Sequence, residues 1–355
     1  MPASEQRVLV TGAGGFIGGR VVEVLHSMGY GVRAGVRRWA SAPRIGRLPI
    51  EIVLCDLADP QQVEAACDGA TAIVHCAVSL EPLPEAAAHM RNLLEAATGH
   101  DIKRFVHLST MEVYGETAGD IDEQRALDPG GGHSHYARLK ITLEQLCREY
   151  VDRGLPLVIL RPTIVYGPFS ESWTVEPAQR LLSSSWSLPE QAAQGTCNLL
   201  YIDDLIAAIL LALRSDQAVG ETFNVNGGER ITWDDYLRAI GEALGVGELN
   251  RHGAFAARAG AWLTLPVRKS VKFLLQRYQE QIMALYRRFG LVRRIMRRAE
   301  GMIRQVPTPA EFRLYGRKAF YATEKATRML GYESKFSMRR GIDLSIAWLR
   351  HEGYV

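Results

Sequence analysis

Tyr136 and Lys140 are four residues apart in a stretch with helical patterning, so their side chains share one helix face, one turn apart. A tyrosine with an ordinary pKa of about 10 is a poor acid or base at neutral pH. We expect the neighbouring Lys140 ammonium to favour the phenolate and lower that pKa. Thr110 ends a predicted strand at 104–109, and its hydroxyl can bond to the same substrate oxygen. These residues predict proton exchange with a carbonyl or carbinol.

A glycine-rich turn near the N-terminus predicts a dinucleotide site. A predicted strand at 7–11 runs directly into it, and an amphipathic helix at 16–28 follows. Glycines let the chain bend tightly, approach a pyrophosphate and pack the helix on the sheet, while the helix N-terminus supplies N–H groups and a favourable dipole. The residues expected to contact the cofactor here are Gly12, Gly15, Phe16, Ile17 and Gly18.

The end of the second predicted strand, 31–36, discriminates between the two nicotinamide cofactors. An NAD site places an acidic residue there, which accepts a hydrogen bond from the ribose 2′-hydroxyl. This chain has Val36, followed by Arg37 and Arg38. Because a guanidinium binds a 2′-phosphate through charge-assisted hydrogen bonds, the sequence predicts NADP(H), with NAD(H) as the alternative. The other interpretation of the two arginines is that both are simply solvated.

Further cofactor contacts are expected where other strands end. Asp56 and Leu57 follow the third strand and are placed to meet the adenine edge, and Cys76 and Ala77 follow the fourth, on the nicotinamide ribose side. Lys140 would also hold the nicotinamide ribose, so the catalytic pair belongs to the cofactor site as well. The positive nicotinamide ring would add to the lowering of the tyrosine pKa while hydride moves between cofactor and substrate.

These sites require a parallel sheet with crossover helices, and the pattern of the first two-thirds of the chain predicts one. Short β-branched runs indicate strands at about 7–11, 31–36, 50–55, 72–76, 104–109, 157–161 and 222–225. Helical stretches alternate with them at about 16–28, 60–67, 85–98, 136–153 and 203–214. The predicted fold class is α/β, a Rossmann-type doubly wound parallel sheet with a smaller, mostly helical C-terminal part that binds substrate.

We expect the chain to divide into two parts. Residues 1–165 form the NADP-binding domain, which residues from about 201 to 226 complete. The substrate-binding part comprises residues 166–200 and 227–355, including a basic amphipathic insert at 251–306.

Composition is that of an ordinary globular protein, since 47% of the 355 residues are hydrophobic and 23% are charged. The first strand begins almost at the N-terminus, so we expect neither a signal peptide nor a transit peptide. No uncharged apolar run approaches the roughly 20 residues needed to span a bilayer. The five cysteines are odd in number and include no C-x-x-C pair, so we expect neither a metal site nor a disulfide framework. A cytoplasmic location fits.

Five segments together resemble the extended short-chain dehydrogenases, the NAD(P)-dependent epimerase/dehydratase group. They are TGAGGFIG (11–18), LSTMEVYG (108–115), YARLK (136–140), LRPTIVYGP (160–168) and YIDDL (201–205). The likeness covers roughly residues 7–230, with a weaker match at 320–350. It implies a catalytic triad of Thr110, Tyr136 and Lys140, and a nicotinamide-facing loop with Pro162, Thr163 and Val165. The segment VRAGVR (32–37) looks most like the NADPH-using, carbonyl-reducing branch.

The chain departs from the nucleotide-sugar members of this group at three positions. Those members usually have an asparagine where the helix ending in NLLEAA begins, an asparagine in the loop after the sixth strand, and an arginine about seven residues before Asp204. This chain has Ala86, Ile164 and Cys197 instead. The resemblance therefore argues against an ordinary nucleotide-sugar pocket.

Glu112 favours a nucleotide-sugar enzyme instead, because it matches the glutamate that sugar dehydratases and decarboxylases use as a base. Met111 replaces the acidic partner of that glutamate, so a local cap or salt bridge is an equally open role. The leading interpretation is an NADP(H)-dependent oxidoreductase acting on a carbonyl or carbinol of a sugar-like or apolar substrate. One alternative is a nucleotide-sugar epimerase, dehydratase or decarboxylase with internally recycled cofactor, and another is a non-catalytic NADP-binding scaffold.

The segment 251–304 carries thirteen Arg or Lys and two acidic residues, a local charge of +11 in a chain whose net charge is +3. Apolar residues within it follow helical spacing. A helix at 255–304 could lie on an anionic membrane surface, which would make the protein peripheral at the inner membrane, or it could be a lid or subunit contact. We expect a small-molecule substrate and a homodimer. Nucleic acid is not expected, since no stacking platform accompanies the charge.

Overall fold

The structure is a computed structural model, and it describes residues 6–78, 81–128, 134–183, 188–189, 192–247, 251–252 and 308–355. Its strands in chain order are β1 (Arg7–Thr11), β2 (Gly31–Val36), β3 (Glu51–Leu54), β4 (Ala72–His75), β5 (Arg104–Leu108), β6 (Gly119–Ile121), β7 (Leu157–Pro162), β8 (Ile164–Tyr166), β9 (Leu188–Pro189), β10 (Leu199–Tyr201), β11 (Thr222–Val225), β12 (Arg251–His252) and β13 (Ala319–Tyr321).

Seven of these strands form one parallel sheet in the order β11-β7-β5-β4-β1-β2-β3, which confirms the predicted fold class. The other strands pair two by two, β8 with β10, β9 with β12 and β6 with β13. Each predicted strand of the main sheet is present, with ends that differ from the prediction by one residue at most.

Helices cover the sheet, as parallel strands require. The α-helices of the described residues are α1 (Phe16–Ser27), α2 (Pro60–Cys67), α3 (Leu83–Gly99), α4 (His135–Asp152), α5 (Glu176–Leu182), α6 (Ile202–Arg214), α7 (Trp233–Leu244), α8 (Pro309–Gly316), α9 (Glu324–Leu330) and α10 (Met338–His351). The five predicted helices agree with these bounds to within two residues.

Burial on both faces explains why the strands are almost continuously apolar. Leu9 of β1, Ile73 of β4, Phe105 of β5 and Leu157 of β7 have no exposed surface, and they belong to one cluster with residues of α2, α3 and α4. The strands are therefore packed against these helices, which places the loops at the edge of the sheet.

The start of α4 determines where the tyrosine–lysine pair lies. Ser134 caps the helix, since its Oγ accepts a hydrogen bond from the N–H of Ala137 at 3.2 Å. Tyr136 is then the second residue of the helix, and Lys140 follows one turn later. The cap thus places both side chains at the end of α4 that begins next to the site.

Contacts divide the chain into two units, one of residues 1–170, 198–229 and 319–341 and the other of residues 171–197, 230–318 and 342–355. The sequence pattern assigns all of 227–355 to the substrate-binding part. Residues 319–341 pack with the first unit, because β13 pairs in parallel with β6 and because Asp204 binds the main chain of residues after β13. The Asp204 carboxylate accepts hydrogen bonds from the N–H groups of Lys335 and Phe336, at 2.9 and 3.2 Å.

The second unit has an aromatic core of its own. The Trp233 ring lies 5.7 Å from that of Trp173, 6.3 Å from that of Tyr236 and 4.6 Å from that of Tyr315, measured between centroids. Trp233 is the first residue of α7, which a capping box of Thr232 and Asp235 opens.

Several sequence predictions concern residues beyond these ranges. The basic insert at 251–306 lies outside the described residues apart from β12, so its amphipathic helix stays a prediction. Within the described part of the chain, no helix combines the length and apolar character needed to cross a membrane. All five cysteines are described and are free thiols. The ranges covered by the structure contain no group of three side chains suited to bind a metal ion.

Candidate active site

The predicted site residues of the first unit collect at one edge of the sheet, beyond the carboxyl ends of its strands. Gly12 follows β1, Arg37 follows β2, Asp56 lies two residues after β3, Cys76 follows β4 and Thr110 lies two residues after β5. Ligands of open parallel sheets bind at this edge, where the loops leave a crevice.

The glycine-rich turn is built for a close approach between two main chains. Gly12 has a φ of +67°, and a Cβ there would lie 2.7 Å from main-chain atoms of Ala77. A Cβ at Gly18 would lie 2.2 Å from the carbonyl oxygen of Gly12. The turn delivers the chain to the start of α1, where Gly15 precedes the first helical residues Phe16 and Ile17. Their N–H groups are those that a helix leaves for an anion, so these residues fit a pyrophosphate.

Two arginines and one acidic residue lie at the strand ends where the sequence predicts the adenosine side of the cofactor. Arg37 and Arg38 directly follow β2 and are both exposed, and no ion pair joins either of them to the described residues. Asp56 and Leu57 follow the neighbouring strand β3. Asp56 Oδ1 accepts a hydrogen bond from the N–H of Ala58 at 3.1 Å, which fixes the turn. The structure thus brings these four predicted residues to two adjacent strand ends.

The predicted nicotinamide side is formed by the chain after β4 and after β7. Cys76 is partly buried, and burial raises the pKa of its thiol to about 12, so it is neutral at physiological pH. Pro162 ends β7, and the buried Thr163 hydroxyl donates a hydrogen bond to Asn226 Oδ1 at 3.0 Å. Val165 is buried in β8. The segment is therefore held by packing, by the main-chain hydrogen bonds of Thr163 and Ile164 to Val225 and Asn198, and by this buried side-chain bond.

Thr110, Tyr136 and Lys140 come together as the sequence predicts. Thr110 Oγ1 accepts a hydrogen bond from the N–H of Glu112 at 3.3 Å, and the Thr110 hydroxyl lies close enough to the Tyr136 phenol to lower its pKa. Lys140 Nζ lies 6.0 Å from the centroid of the Tyr136 ring and donates a hydrogen bond to the carbonyl oxygen of Leu108 at 2.7 Å.

The pKa of Tyr136 shifts in the direction opposite to the one expected from its lysine neighbour. Burial raises it, the hydrogen bond with Thr110 opposes this, and the negative charge of Glu112 adds to the rise. The Lys140 ammonium is directed at a main-chain carbonyl instead of the phenol, and burial lowers its own pKa to about 8. The Tyr136 phenol is consequently held in its protonated form.

Glu112 lies near enough to Tyr136 for its charge to act on the phenol. It belongs to the short 3-10 turn Met111–Tyr114, which Thr110 caps. Its role as a catalytic base stays a prediction.

Sequence reasoning missed two buried histidines beside the lysine. His75 and His107 are register partners on β4 and β5, and their rings stack with centroids 5.3 Å apart. Thr11 Oγ1 lies 2.7 Å from His75 Nδ1, whereas neither ring nitrogen of His107 has a hydrogen-bond partner among the described residues. Burial and the Lys140 charge lower the pKa of His75 to about 3 and that of His107 well below its usual value. The feature of the sequence that could have revealed them is a histidine within each of two mostly apolar strands, AIVH and RFVHL.

Comparison with known proteins identifies the group to which this chain is related. The NAD dependent epimerase/dehydratase family matches residues 8–226, which is more than half of the chain. The chain belongs to this family. It is therefore an enzyme of the extended short-chain dehydrogenase type, an oxidoreductase that uses a nicotinamide dinucleotide.

Relatives within the family include several activities. A stretch of 152 residues is 36% identical to an uncharacterized UDP-glucose epimerase of Bacillus subtilis, and this match covers 41% of the chain and 47% of that protein. A quinoline-oxide ketoreductase of Stigmatella aurantiaca is 24% identical over 95% of both chains. The fold is similar to that of the UDP-glucose 4-epimerase of Thermotoga maritima, with a TM-score of 0.73 and 21% identity over 98% of this chain and 99% of that one.

Proposed function

We propose that this family member is an NADPH-dependent reductase that converts a carbonyl group of a sugar-like or apolar substrate into a carbinol, or catalyses the reverse dehydrogenation. The observation that carries the proposal is the juxtaposition of the Tyr136 phenol with the Thr110 hydroxyl and the buried Lys140 ammonium. A phenol that stays protonated at neutral pH is a proton donor, which a carbonyl oxygen requires as it is reduced.

The bound cofactor supplies the hydride. Tyr136 transfers its proton to the substrate oxygen, which becomes the hydroxyl of the carbinol, and it is then reprotonated from solvent. Thr110 Oγ1 accepts a bond from Glu112, so its one proton can turn from Tyr136 to the substrate oxygen when substrate binds. The positive charge of Lys140 stabilises the phenolate that the transfer leaves, and its position supports binding of the nicotinamide ribose.

The preference for NADP(H) rests on the two exposed arginines after β2. A 2′-phosphate would meet two guanidinium groups that have no ion pair with the described residues. Val36 ends the strand, where an enzyme specific for NAD would place a carboxylate.

The proposed substrate class follows from three positions where nucleotide-sugar members of the family have polar side chains. Ala86 and Ile164 are 2% and 3% exposed, and Cys197 is fully buried. Burial raises the pKa of the Cys197 thiol far above its usual value, so this neutral group offers no charge to a diphosphate. These positions support a substrate without a nucleotide diphosphate.

A second candidate is a nucleotide-sugar epimerase, dehydratase or decarboxylase. The observation in its favour is Glu112, whose charge acts on Tyr136 and which occupies the position of a base in such enzymes. The partial match to a UDP-glucose epimerase points the same way. In this function the hydride returns to the same substrate, so no net cofactor is used.

Net cofactor turnover separates the two candidates. The purified enzyme is incubated with each of a panel of lipophilic ketones and aldehydes, UDP-glucose and dTDP-glucose, once with NADPH and once with NADP+ or NAD+, while absorbance at 340 nm and product are followed. The proposal predicts one NADPH oxidised for each carbonyl reduced. Conversion of a nucleotide sugar with no change in NADPH would establish the second candidate instead.

The predictions about partners concern other parts of the molecule. We propose that the protein forms a homodimer. We also propose that residues 255–304 contact either an anionic membrane surface or another part of the protein. Both proposals rest on the sequence alone.

A further inference from the structure

A fully buried ion pair lies next to the catalytic threonine. Arg161, at the end of β7, binds Glu144 of α4 through two nitrogens, Nε to Oε1 at 2.8 Å and Nη2 to Oε2 at 2.5 Å. Arg161 is 1% exposed and Glu144 has no exposed surface. Burying two charges is expensive, and apolar residues of similar size often stabilise a protein as well. A role in the geometry of the site would explain why the pair is present.

The ion pair reaches the chain on both sides of Thr110. The Ser109 hydroxyl donates a hydrogen bond to Glu144 Oε1 at 2.5 Å, one residue before the threonine. Arg161 Nη1 donates to the Tyr114 hydroxyl at 2.7 Å, four residues after it. The segment that carries Thr110 is therefore fastened at both ends to the same pair of charges.

The Tyr114 side of this hydrogen-bond network is also bound to a buried residue. The Tyr114 hydroxyl donates to Asn224 Oδ1 at 2.7 Å, and Asn224 has no exposed surface. Asn224 is the register partner of Arg161 on β11. The segment is thus tied to β7 and β11 through side chains as well as to α4.

The same helix supplies the other half of the catalytic geometry. Glu144 follows Lys140 by four residues, so the two side chains lie one turn apart on one face of α4. Lys140 holds the carbonyl of Leu108 and Glu144 holds the hydroxyl of Ser109. Two successive residues at the end of β5 are therefore bound by successive turns of the helix that carries Tyr136.

We propose that Glu144 and Arg161 are positioning residues that hold the Thr110 hydroxyl at its place beside Tyr136. They act through Ser109 and Tyr114 and not on the substrate. The inference rests on the proposed roles of Thr110 and Tyr136, because it concerns the distance between their hydroxyls. A misplacement of about 1 Å at such a site can lower turnover by about 10²-fold.

The first test replaces each member of the pair conservatively. Glu144→Gln removes the charge and keeps the shape, whereas Arg161→Lys keeps the charge and loses the two-point contact. With NADPH and the fastest substrate of the panel above, we expect kcat to fall by about 10- to 100-fold. The Kd for NADPH, measured by fluorescence titration, should stay within twofold, because the glycine turn and Arg37 are untouched.

Two smaller changes keep the inference testable if those variants do not fold. Ser109→Ala and Tyr114→Phe each remove a single hydroxyl from one end of the segment. Each should lower kcat by about 3- to 10-fold and leave the KM for NADPH unchanged, because each removes only one of the two hydrogen bonds that hold the segment.

A pH profile adds a readout that a merely structural role would not move. The hydrogen bond with Thr110 lowers the pKa of Tyr136, so a displaced threonine leaves that pKa higher. Reduction requires the protonated phenol, so its rate falls as pH rises through that pKa, beyond any fall near pH 8 where Lys140 loses its proton. In Arg161→Lys, Ser109→Ala and Tyr114→Phe the fall that reports Tyr136 should therefore move to higher pH. Glu144→Gln is not used for this readout, because the Glu144 charge raises the pKa of Lys140.

The control is a buried arginine on β5, at the end of that strand opposite to Thr110. Arg104 begins β5, is 6% exposed and binds Asp216 with Nη2 at 2.7 Å from Oδ1. Arg104→Lys should lower the melting temperature and leave kcat and the pH profile unchanged. If all folded pair and hydroxyl variants keep kcat within twofold of the unmodified enzyme, the inference is overturned. Undiminished turnover in Tyr136→Phe would instead overturn the proposed function.

Discussion

Lys140 Nζ donates a hydrogen bond to the carbonyl oxygen of Leu108 at 2.7 Å, which joins the catalytic helix to the strand end that carries Thr110. The lysine is 2% exposed, and burial lowers its pKa from 10.5 to about 8. The folded enzyme therefore holds a buried positive charge at neutral pH, and this charge opposes folding.

Lys140→Met should reveal that cost through its pH dependence. Between about pH 8 and 10.5 the unfolded chain keeps the lysine proton and the folded chain does not, so the unmodified enzyme gains stability as pH rises. The difference between the two pKa values corresponds to roughly 3 kcal/mol. Urea unfolding of both proteins should show the variant gaining most relative to the unmodified enzyme at pH 7 and progressively less towards pH 10.

Lys325→Met is the matched control for that experiment. Lys325 Nζ also donates to a main-chain carbonyl, that of Thr222 at 2.8 Å, but its side chain is 23% exposed and pairs with Glu221. Lys325→Met should lower the stability, because it removes this ion pair, whereas Lys140→Met should raise it at pH 7. A difference between Lys140→Met and the unmodified enzyme that stays constant from pH 7 to pH 10 would contradict the buried charge.

Local pattern was sufficient to predict the sheet, the glycine turn and the spacing of Tyr136 and Lys140, because each of these depends on neighbours in sequence. The direction of the Tyr136 pKa was not accessible in this way. It depends on Leu108, which takes the lysine's hydrogen bond, and on burial of the phenol. Tertiary contacts between distant segments determine both.

The partners of Glu144 and of the two buried histidines depend on tertiary contacts in the same way. Glu144 stands four residues after Lys140 and Arg161 directly precedes Pro162, so both were visible next to recognised motifs. Their pairing emerges only when α4 packs on β7. Likewise, His75 and His107 become neighbours through strand register, which the linear pattern does not reveal.

The cofactor preference provides a prediction about Arg37. NADPH should bind at least about tenfold more tightly than NADH, equivalent to roughly 1.4 kcal/mol, and Arg37→Asp should remove that difference because a carboxylate repels the 2′-phosphate. Arg125→Asp changes the same charge at another exposed arginine and should leave the ratio intact. Equal affinities for the two cofactors in the unmodified enzyme would refute the role given to Arg37 and Arg38.

The basic segment leads to a prediction about assembly. We expect replacement of Arg287, Arg288, Arg293 and Arg294 by glutamine to alter the oligomeric state, measured by light scattering, or the KM for substrate, as a lid or subunit contact requires. NADPH affinity should not change. Salt-sensitive co-sedimentation of the unmodified protein with anionic vesicles, lost in the quadruple variant, would favour the membrane interpretation instead.

Removal of the Tyr136 hydroxyl tests the central claim most directly. Tyr136→Phe keeps the ring and deletes only the proton donor, so turnover with NADPH should fall by about 10²-fold or more while NADPH affinity stays nearly unchanged. Tyr150→Phe is the control, because Tyr150 lies on the same helix and donates its hydroxyl to Glu95, and its turnover should stay within twofold. Full turnover in Tyr136→Phe would mean that another residue supplies the proton.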